Sequence, residues 1–109
     1  MSPESASFRI ALTTVGTLEE GRRLAGLLVE RRLAACVNLV PNLTSVYRWR
    51  DKVEEAAEVL LLMKTTSALL PSLEAAVREL HSYEVPEFLA LEVESGSQPY
   101  LDWLLNSVR

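Results

Sequence analysis

Residues 35–64 read ACVNLVPNLTSVYRWRDKVEEAAEVLLLMK. Both halves of this stretch are rich in valine, leucine and aromatic residues, a composition typical of β-strands. The two extended halves flank a two-residue break at Arg50-Asp51, which predicts a β-hairpin whose turn places Asp51 at positive φ. Proline removes a donor from a strand ladder, so we expect a bulge or bend at Pro41. Each predicted arm is more than twice the usual strand length of about 5–6 residues.

The segments outside the hairpin supply the other elements. Thr17 and Glu20 are the ends of a capping box, which predicts the start of a helix. An apolar stripe with helical spacing follows Ser67, and Ser97 precedes another short helical segment. The predicted order is strand 8–13, helix 18–32, the hairpin, a helix capped by Ser67, strand 89–93 and helix 100–108. This β-α-β-β-α-β order plus a C-terminal helix predicts an α+β, ferredoxin-like split βαβ fold with an antiparallel sheet and both long helices on one face.

The composition is that of one folded domain. Of the 109 residues, 49% are apolar, and we expect residues 1–7 to be a flexible N-terminal tail and residues 8–109 to be a single domain. The single cysteine, Cys36, has no partner for an internal disulfide, and the first residues lack the regions of a signal peptide, so we expect a cytoplasmic protein. The net charge of −4 without clustered basic residues argues against a nucleic-acid partner. The longest apolar run is too short to cross a membrane.

The length of the hairpin predicts a contact surface for other chains. Two helices can cover only part of such arms, so apolar side chains on the remainder are expected to be exposed in an isolated chain. The residues concerned are Val46, Tyr47, Trp49 and Val53. Open strand edges with exposed apolar side chains are usually covered by a partner, most simply an identical chain related by a closed symmetry axis. We therefore expect these four residues in an oligomer interface.

Cys36 and Lys64 are the first candidate site residues. Cys36 follows two alanines in a small, apolar segment, where a thiol commonly acts as a buried hydrophobic group. The alternative is a reactive thiolate stabilised by a nearby cation. Counting back from the hairpin turn pairs Val37 with Lys64, and a one-residue bulge at Pro41 would bring Cys36 close to Lys64. Lys64 itself either reaches solvent at the end of the sheet or is held in a polar cleft.

His81 is the single histidine of the chain. One histidine and one cysteine cannot supply the four Cys or His ligands of a structural zinc site within one chain. His81 follows the second predicted helix, where a cation interacts favourably with the helix dipole. As a metal ligand it would need Glu84, Glu87 or a residue from another subunit. The sequence contains no glycine-rich phosphate loop and no nucleophile motif.

Five ordered segments between residues 11 and 103 resemble the CutA family of divalent-cation tolerance proteins. They are Leu33-Ala34-Ala35-Cys36-Val37-Asn38, Ser45-x-Tyr47-x-Trp49, Leu60-Leu61-Leu62-x-Lys64-Thr65, His81-x-Tyr83-Glu84-Val85-Pro86-Glu87 and Tyr100-Leu101-x-Trp103. The resemblance implies a ferredoxin-like fold, a tight homotrimer built through the long hairpin, a cytoplasmic location, association with copper and other divalent ions, and a role in metal tolerance. Two positions depart from the family pattern. Asp51 stands where glycine is usual, and Ser82 stands where proline is usual, which is expected to leave the backbone beside His81 less rigid.

The candidate site is expected to lie between subunits. Lys64, Tyr83 and Glu87 are the predicted ligand-binding residues, and His81 and Cys36 are the predicted metal ligands. Our leading hypothesis is a non-enzymatic homotrimer that binds copper or another divalent cation weakly and contributes to metal-ion tolerance; the sequence does not identify a downstream protein partner. The family is also similar to the PII signalling trimers, so the alternative is a sensor of a small-molecule effector bound in inter-subunit clefts. An enzyme with Cys36 as nucleophile and His81 as base is the least supported, because no orienting group or oxyanion loop is visible.

Overall fold

The computed structural model describes residues 7–108, so most of the predicted N-terminal tail and the last residue lie outside the described residues. The elements are strands β1 (Phe8–Val15), β2 (Cys36–Trp49), β3 (Lys52–Thr66) and β4 (Leu89–Glu92), and helices α1 (Leu18–Glu30), α2 (Leu70–Leu80) and α3 (Gln98–Asn106). The strands form one antiparallel sheet in the order β2-β3-β1-β4. The α+β, ferredoxin-like fold predicted from the sequence is confirmed.

The capping box defines the start of α1. The hydroxyl of Thr17 accepts a hydrogen bond from the backbone N–H of Glu20 at 3.1 Å, and the helix begins at the residue after Thr17. The helix ends at Glu30, two residues earlier than predicted. Arg32 adopts a left-handed conformation with φ of 61°, which is incompatible with continuing the helix.

The other two helices differ in how they begin. The predicted cap at Ser67 is wrong, because Ser67–Leu69 form a 3-10 turn and α2 begins at Leu70 with no side-chain cap among the described residues. The cap predicted for α3 is confirmed, because the hydroxyl of Ser97 accepts the backbone N–H of Tyr100 at 3.4 Å. That helix begins at residue 98 and ends at residue 106, so it lies two residues N-terminal to its predicted range.

The two faces of the sheet have different surroundings. α1 and α2 pack on one face, where Ala11, Leu61 and Met63 are fully buried, and truncating Leu61 to alanine would cost about 2–5 kcal/mol. α3 covers one end of the other face, where Leu104 packs against Phe8. The rest of that face, hereafter the open face, has no helix over it in the described part of the chain. It carries the apolar side chains of Ile10, Leu12, Leu60, Leu62, Leu89 and Leu91.

The hairpin has the predicted turn. Arg50 and Asp51 have φ of 52° and 65°, the pair of positive angles that a type I′ turn requires. The arms extend beyond the helices, so apolar side chains near the tip remain in solvent in the single chain. Val46 is 62% exposed and Val53 is 68% exposed. Their predicted place in an oligomer interface stays a prediction.

A bulge divides β2 into two parts. The pairing of β2 with β3 shifts by one residue between Val40 and Leu43, which confirms the bulge predicted at the proline between them. The shift brings Cys36 directly opposite Lys64. Because a one-residue shift moves side chains to the other face of a sheet, the bulge also places Tyr47 on the same face as Cys36.

Candidate functional site

His81 is a buried bridge between α2 and β1. Its backbone N–H donates to the carbonyl of Val77, so it is the C-terminal cap of α2. Its ring Nε2 lies 2.7 Å from the carbonyl oxygen of Thr14, and its Nδ1 lies 3.0 Å from the backbone nitrogen of Tyr83. A carbonyl oxygen only accepts and a backbone N–H only donates, so Nε2 carries the proton and Nδ1 accepts. Both ring nitrogens are therefore occupied within the chain.

Glu20 holds the residue that follows His81. Its two carboxylate oxygens accept hydrogen bonds from the backbone N–H and from the hydroxyl of Ser82, both at 3.0 Å. Burial acts to raise the pKa of Glu20, but the hydrogen bonds from Ser82 outweigh it and lower the pKa. A proline at position 82 could not donate its backbone nitrogen. The expected loss of rigidity at Ser82 is thus offset by two hydrogen bonds from this residue to α1.

Tyr83 is fixed by contacts at both ends of its side chain. Its ring centroid lies 4.7 Å from that of His81, and its hydroxyl donates to a carboxylate oxygen of Glu58 at 2.7 Å. Burial, followed by the hydrogen bond and negative charge of Glu58, raises the pKa of Tyr83 to about 12. Glu58 lies opposite Leu43 in the hairpin, so its hydrogen bond anchors Tyr83 to β3.

Tyr83 forms part of a groove of about 800 Å³ beside the hairpin. The groove is bounded by the hairpin arms on one side and by the segment before β4 on the other. Its lining includes Tyr47, Trp49, Glu54, Glu58, Tyr83 and Glu87. The structure therefore brings two of the predicted ligand-binding residues together with three of the predicted interface residues, because Val46 also lines the groove. Carboxylate oxygens are the main polar groups that the groove offers to a cation.

Lys64 forms a second cluster with Tyr100 of α3 and with Cys36, its partner in the pairing of β2 with β3. The ammonium of Lys64 lies 3.3 Å from the hydroxyl of Tyr100 and 5.5 Å from the centroid of its ring. Cys36 is only partly buried in the single chain, and its Sγ lies 3.9 Å from Oδ1 of Asn38. The sequence favoured a buried thiol at this position. The contact between Lys64 and Tyr100 was not anticipated, although both belong to segments that resemble the CutA family.

The two clusters lie at opposite ends of β1. Lys64 is paired with Ile10, whereas His81 contacts Thr14, four residues further along the strand. At about 3.3 Å per residue, this separation is about 13 Å. One chain therefore does not assemble the predicted set of Cys36, Lys64, His81 and Tyr83 into a single site. Their convergence between subunits stays a prediction.

The described residues contain no ready-made metal centre. Within residues 7–108, no group of three or more His, Cys, Asp or Glu side chains is arranged to hold a metal ion. No helix in the same range is long and apolar enough to cross a membrane. Any metal site would need donors from a second chain or water molecules to complete it.

Comparison with known proteins identifies the family of this chain. The family described as CutA1 divalent ion tolerance protein matches residues 9–107. The divalent-cation tolerance protein CutA of Thermus thermophilus is 53% identical over 95 residues, covering 87% of this chain and 92% of that protein. Protein CutA of Mus musculus is 48% identical over 98 residues, which cover 90% of this chain and 55% of the mouse protein, so this chain spans about half the length of that relative.

The structural comparison agrees with the sequence comparison. The crystal structure of CutA1 from Oryza sativa superposes with a TM-score of 0.94 at 44% identity, covering 97% of both chains. The region matched by the family includes the hairpin, the His81 bridge and the Lys64 cluster. On this evidence the chain belongs to the CutA1 family of divalent ion tolerance proteins.

Proposed function

We propose that this chain forms a homotrimer that binds divalent cations weakly, copper among them, and contributes to metal-ion tolerance without catalysing a reaction. The observation that carries the proposal is the groove beside Tyr83, where carboxylates adjoin exposed hairpin side chains that an oligomer would cover. The name of the Thermus thermophilus relative, a divalent-cation tolerance protein, supports the cation and the role.

The assembly is supported by apolar side chains exposed at two separate places. One place is the hairpin, and the other is β4, where Leu89 is 56% exposed and Leu91 is 53% exposed. β2 and β4 are the two edge strands of the sheet, so these places lie on opposite edges. When one surface of a chain binds a different surface of an identical chain, the contact is head to tail. Such contacts form a ring when the rotation from one chain to the next adds up to a full circle. A ring of three is what the resemblance to the CutA family implies.

The proposed cation site uses the carboxylates of the groove. Imidazole and carboxylate groups suit Cu(II), whereas thiolates prefer Cu(I). The His81 ring would have to release Thr14 or Tyr83 before it could bind a metal. Glu58 and Glu87 need no such change in the fold. We therefore expect binding that is micromolar or weaker, equivalent to about −8 kcal/mol or less favourable.

The absence of catalysis is supported by the positions of Cys36 and His81. A nucleophile and its base must approach to about 2.6–3.2 Å, and these two side chains lie in separate clusters in the described part of the chain. A cytoplasmic location is supported by Cys36, which is a free thiol.

Calorimetric titration with Cu(II), combined with light scattering, tests the proposal. We expect a trimer with micromolar or weaker binding, reduced at least fivefold by Glu58→Gln combined with Glu87→Gln and unchanged by Glu74→Gln, a control on α2. The glutamine at position 58 can still accept the Tyr83 hydroxyl. His81→Ala measures how much the imidazole contributes to the Cu(II) affinity. Cys36→Ala should leave the Cu(II) affinity unchanged. A folded monomer at micromolar concentration, or nanomolar binding abolished by Cys36→Ala, would contradict the proposal.

A further inference from the structure

A small cleft lies between α3 and the end of the sheet face that α3 covers. Its volume is about 180 Å³. Most of its wall is apolar and comes from β1, from the segment after β4 and from α3. The apolar residues are Phe8, Ile10, Val93, Leu101 and Leu104. The lining residues with polar side chains are Arg9, Lys64, Ser95 and Tyr100.

The Lys64 ammonium has unused capacity to bind an anion. It has three donors, and the hydroxyl of Tyr100 at 3.3 Å is its one hydrogen-bond partner in residues 7–108. The ion pairs of that range do not include Lys64. A cation in the lining of a mostly apolar cleft favours a ligand that combines one negative charge with an apolar body.

The size of the cleft limits that body. An apolar protein cavity of about 150 Å³ is large enough to bind benzene. A cleft of about 180 Å³ therefore accommodates one ring or a short branched chain, but not a nucleotide. A phosphate is also disfavoured, because its second negative charge would face mostly apolar walls, and the other cation of the lining, Arg9, is paired with Glu92.

We propose that this cleft binds a small monocarboxylate with an aromatic or branched aliphatic body. The carboxylate pairs with the Lys64 ammonium, and the body contacts Phe8, Ile10 and Leu101. The site uses none of the groove carboxylates, so it goes beyond the cation-binding proposal and does not depend on it. Cys36 lies opposite Lys64 on the neighbouring strand, and its thiol plays no part in the proposed contact.

Binding of benzoate, followed by calorimetry or NMR on the full chain in its native assembly, tests the proposal. We expect benzoate to bind at least tenfold more tightly than benzamide, its neutral counterpart of the same shape, and than inorganic phosphate. Lys64→Met keeps the length and apolar stem of the side chain and should weaken benzoate binding at least tenfold. Lys64→Arg should retain most of it. Lys52→Met at the hairpin tip is the matched control, because residues 52 and 64 are the two lysines of the sequence.

Lysine acetylation locates the ligand independently of affinity. Benzoate should slow acetylation of Lys64 and leave that of Lys52 unchanged, as measured by mass spectrometry of the digested protein. Equal binding of benzoate and benzamide, or benzoate binding that survives Lys64→Met, would overturn the proposal. So would a Lys64 that is unreactive before any benzoate is added, because a neighbouring chain would then occupy the cleft.

Discussion

Replacing Glu20 by alanine tests the contact that fixes the segment after α2. Its carboxylate accepts two hydrogen bonds from Ser82 at 3.0 Å, and its side chain is 14% exposed. A hydrogen bond to a charged group contributes about 1.5–3 kcal/mol. Partial exposure and the entropy of ordering the side chain reduce the sum for the pair. We therefore expect Glu20→Ala to lower the free energy of unfolding by about 2–3 kcal/mol.

Glu19→Ala is the matched control. Glu19 lies in the same first turn of α1 but is exposed, so its removal costs the helix-dipole interaction alone, about 0.3–1 kcal/mol. Urea denaturation measures both losses at one fixed protein concentration, because the stability of the proposed trimer would depend on concentration. Ser82→Ala keeps the backbone bond to Glu20 and should cost about 1 kcal/mol, and the double variant with Glu20→Ala should cost less than the sum. Equal losses for Glu19→Ala and Glu20→Ala would refute the reasoning.

The pH dependence of the same variant gives an independent check. The pKa of Glu20 is lowered from its ordinary value of 4.5, so the folded state holds its carboxyl group ionised more firmly than the unfolded state. Such a group stabilises the protein above its unfolded pKa, and the contribution is lost as the pH falls through the folded pKa. The difference in stability between wild type and Glu20→Ala should therefore shrink below pH 4.5. A difference that grows on acidification would contradict the assigned contact.

Three further predictions concern Tyr83, the hairpin turn and the hairpin tip. Tyr83→Phe should remove the most alkaline step of the tyrosine absorbance titration, because burial and Glu58 raise the pKa of Tyr83 to about 12. The stability that the raised pKa of Tyr83 contributes is present below pH 10 and is lost as the pH rises through about 12. Asp51→Gly should leave the free energy of unfolding unchanged or raise it by up to about 1 kcal/mol in urea denaturation, because φ of 65° suits glycine. A decrease in the free energy of unfolding would contradict this prediction. Trp49→Ser combined with Val53→Ser should reduce the oligomer to folded monomers, as judged by light scattering and circular dichroism, and an unchanged oligomer would exclude the tip from the interface.

The hairpin and its bulge could be predicted because their signals are local. A two-residue turn, long extended arms and a proline at position 41 determine the register, and the structure confirms that Cys36 lies opposite Lys64. The capping box of α1 was likewise visible in four consecutive residues. The start of α2 was not predicted correctly. Serine is a common helix cap, but Ser67 is the first residue of a 3-10 turn that precedes the helix.

The contacts around His81 could not be predicted because they join distant parts of the chain. Glu20 and Ser82 are 62 residues apart, and Glu58 and Tyr83 are 25 residues apart. The sequence marked His81 as a helix-end cation or a metal ligand, since neither Thr14 nor the backbone of the next segment could be placed beside its ring. A carboxylate such as Glu58 is typical of a solvated strand, and its role depends on where the segment after α2 is placed.

The bulge in β2 has a geometrical consequence for any ring that these chains form. A bulge bends its strand and increases the local right-handed twist, so the outer half of the hairpin leaves the plane of the sheet at an angle set by this one extra residue. In a head-to-tail ring, the angle at which one chain reaches the next determines whether the circle closes after a whole number of copies or continues as an open helix. Residues 41 and 42 would therefore set the angle between neighbouring chains in the proposed ring. Removing one of them should leave each core folded and change that angle.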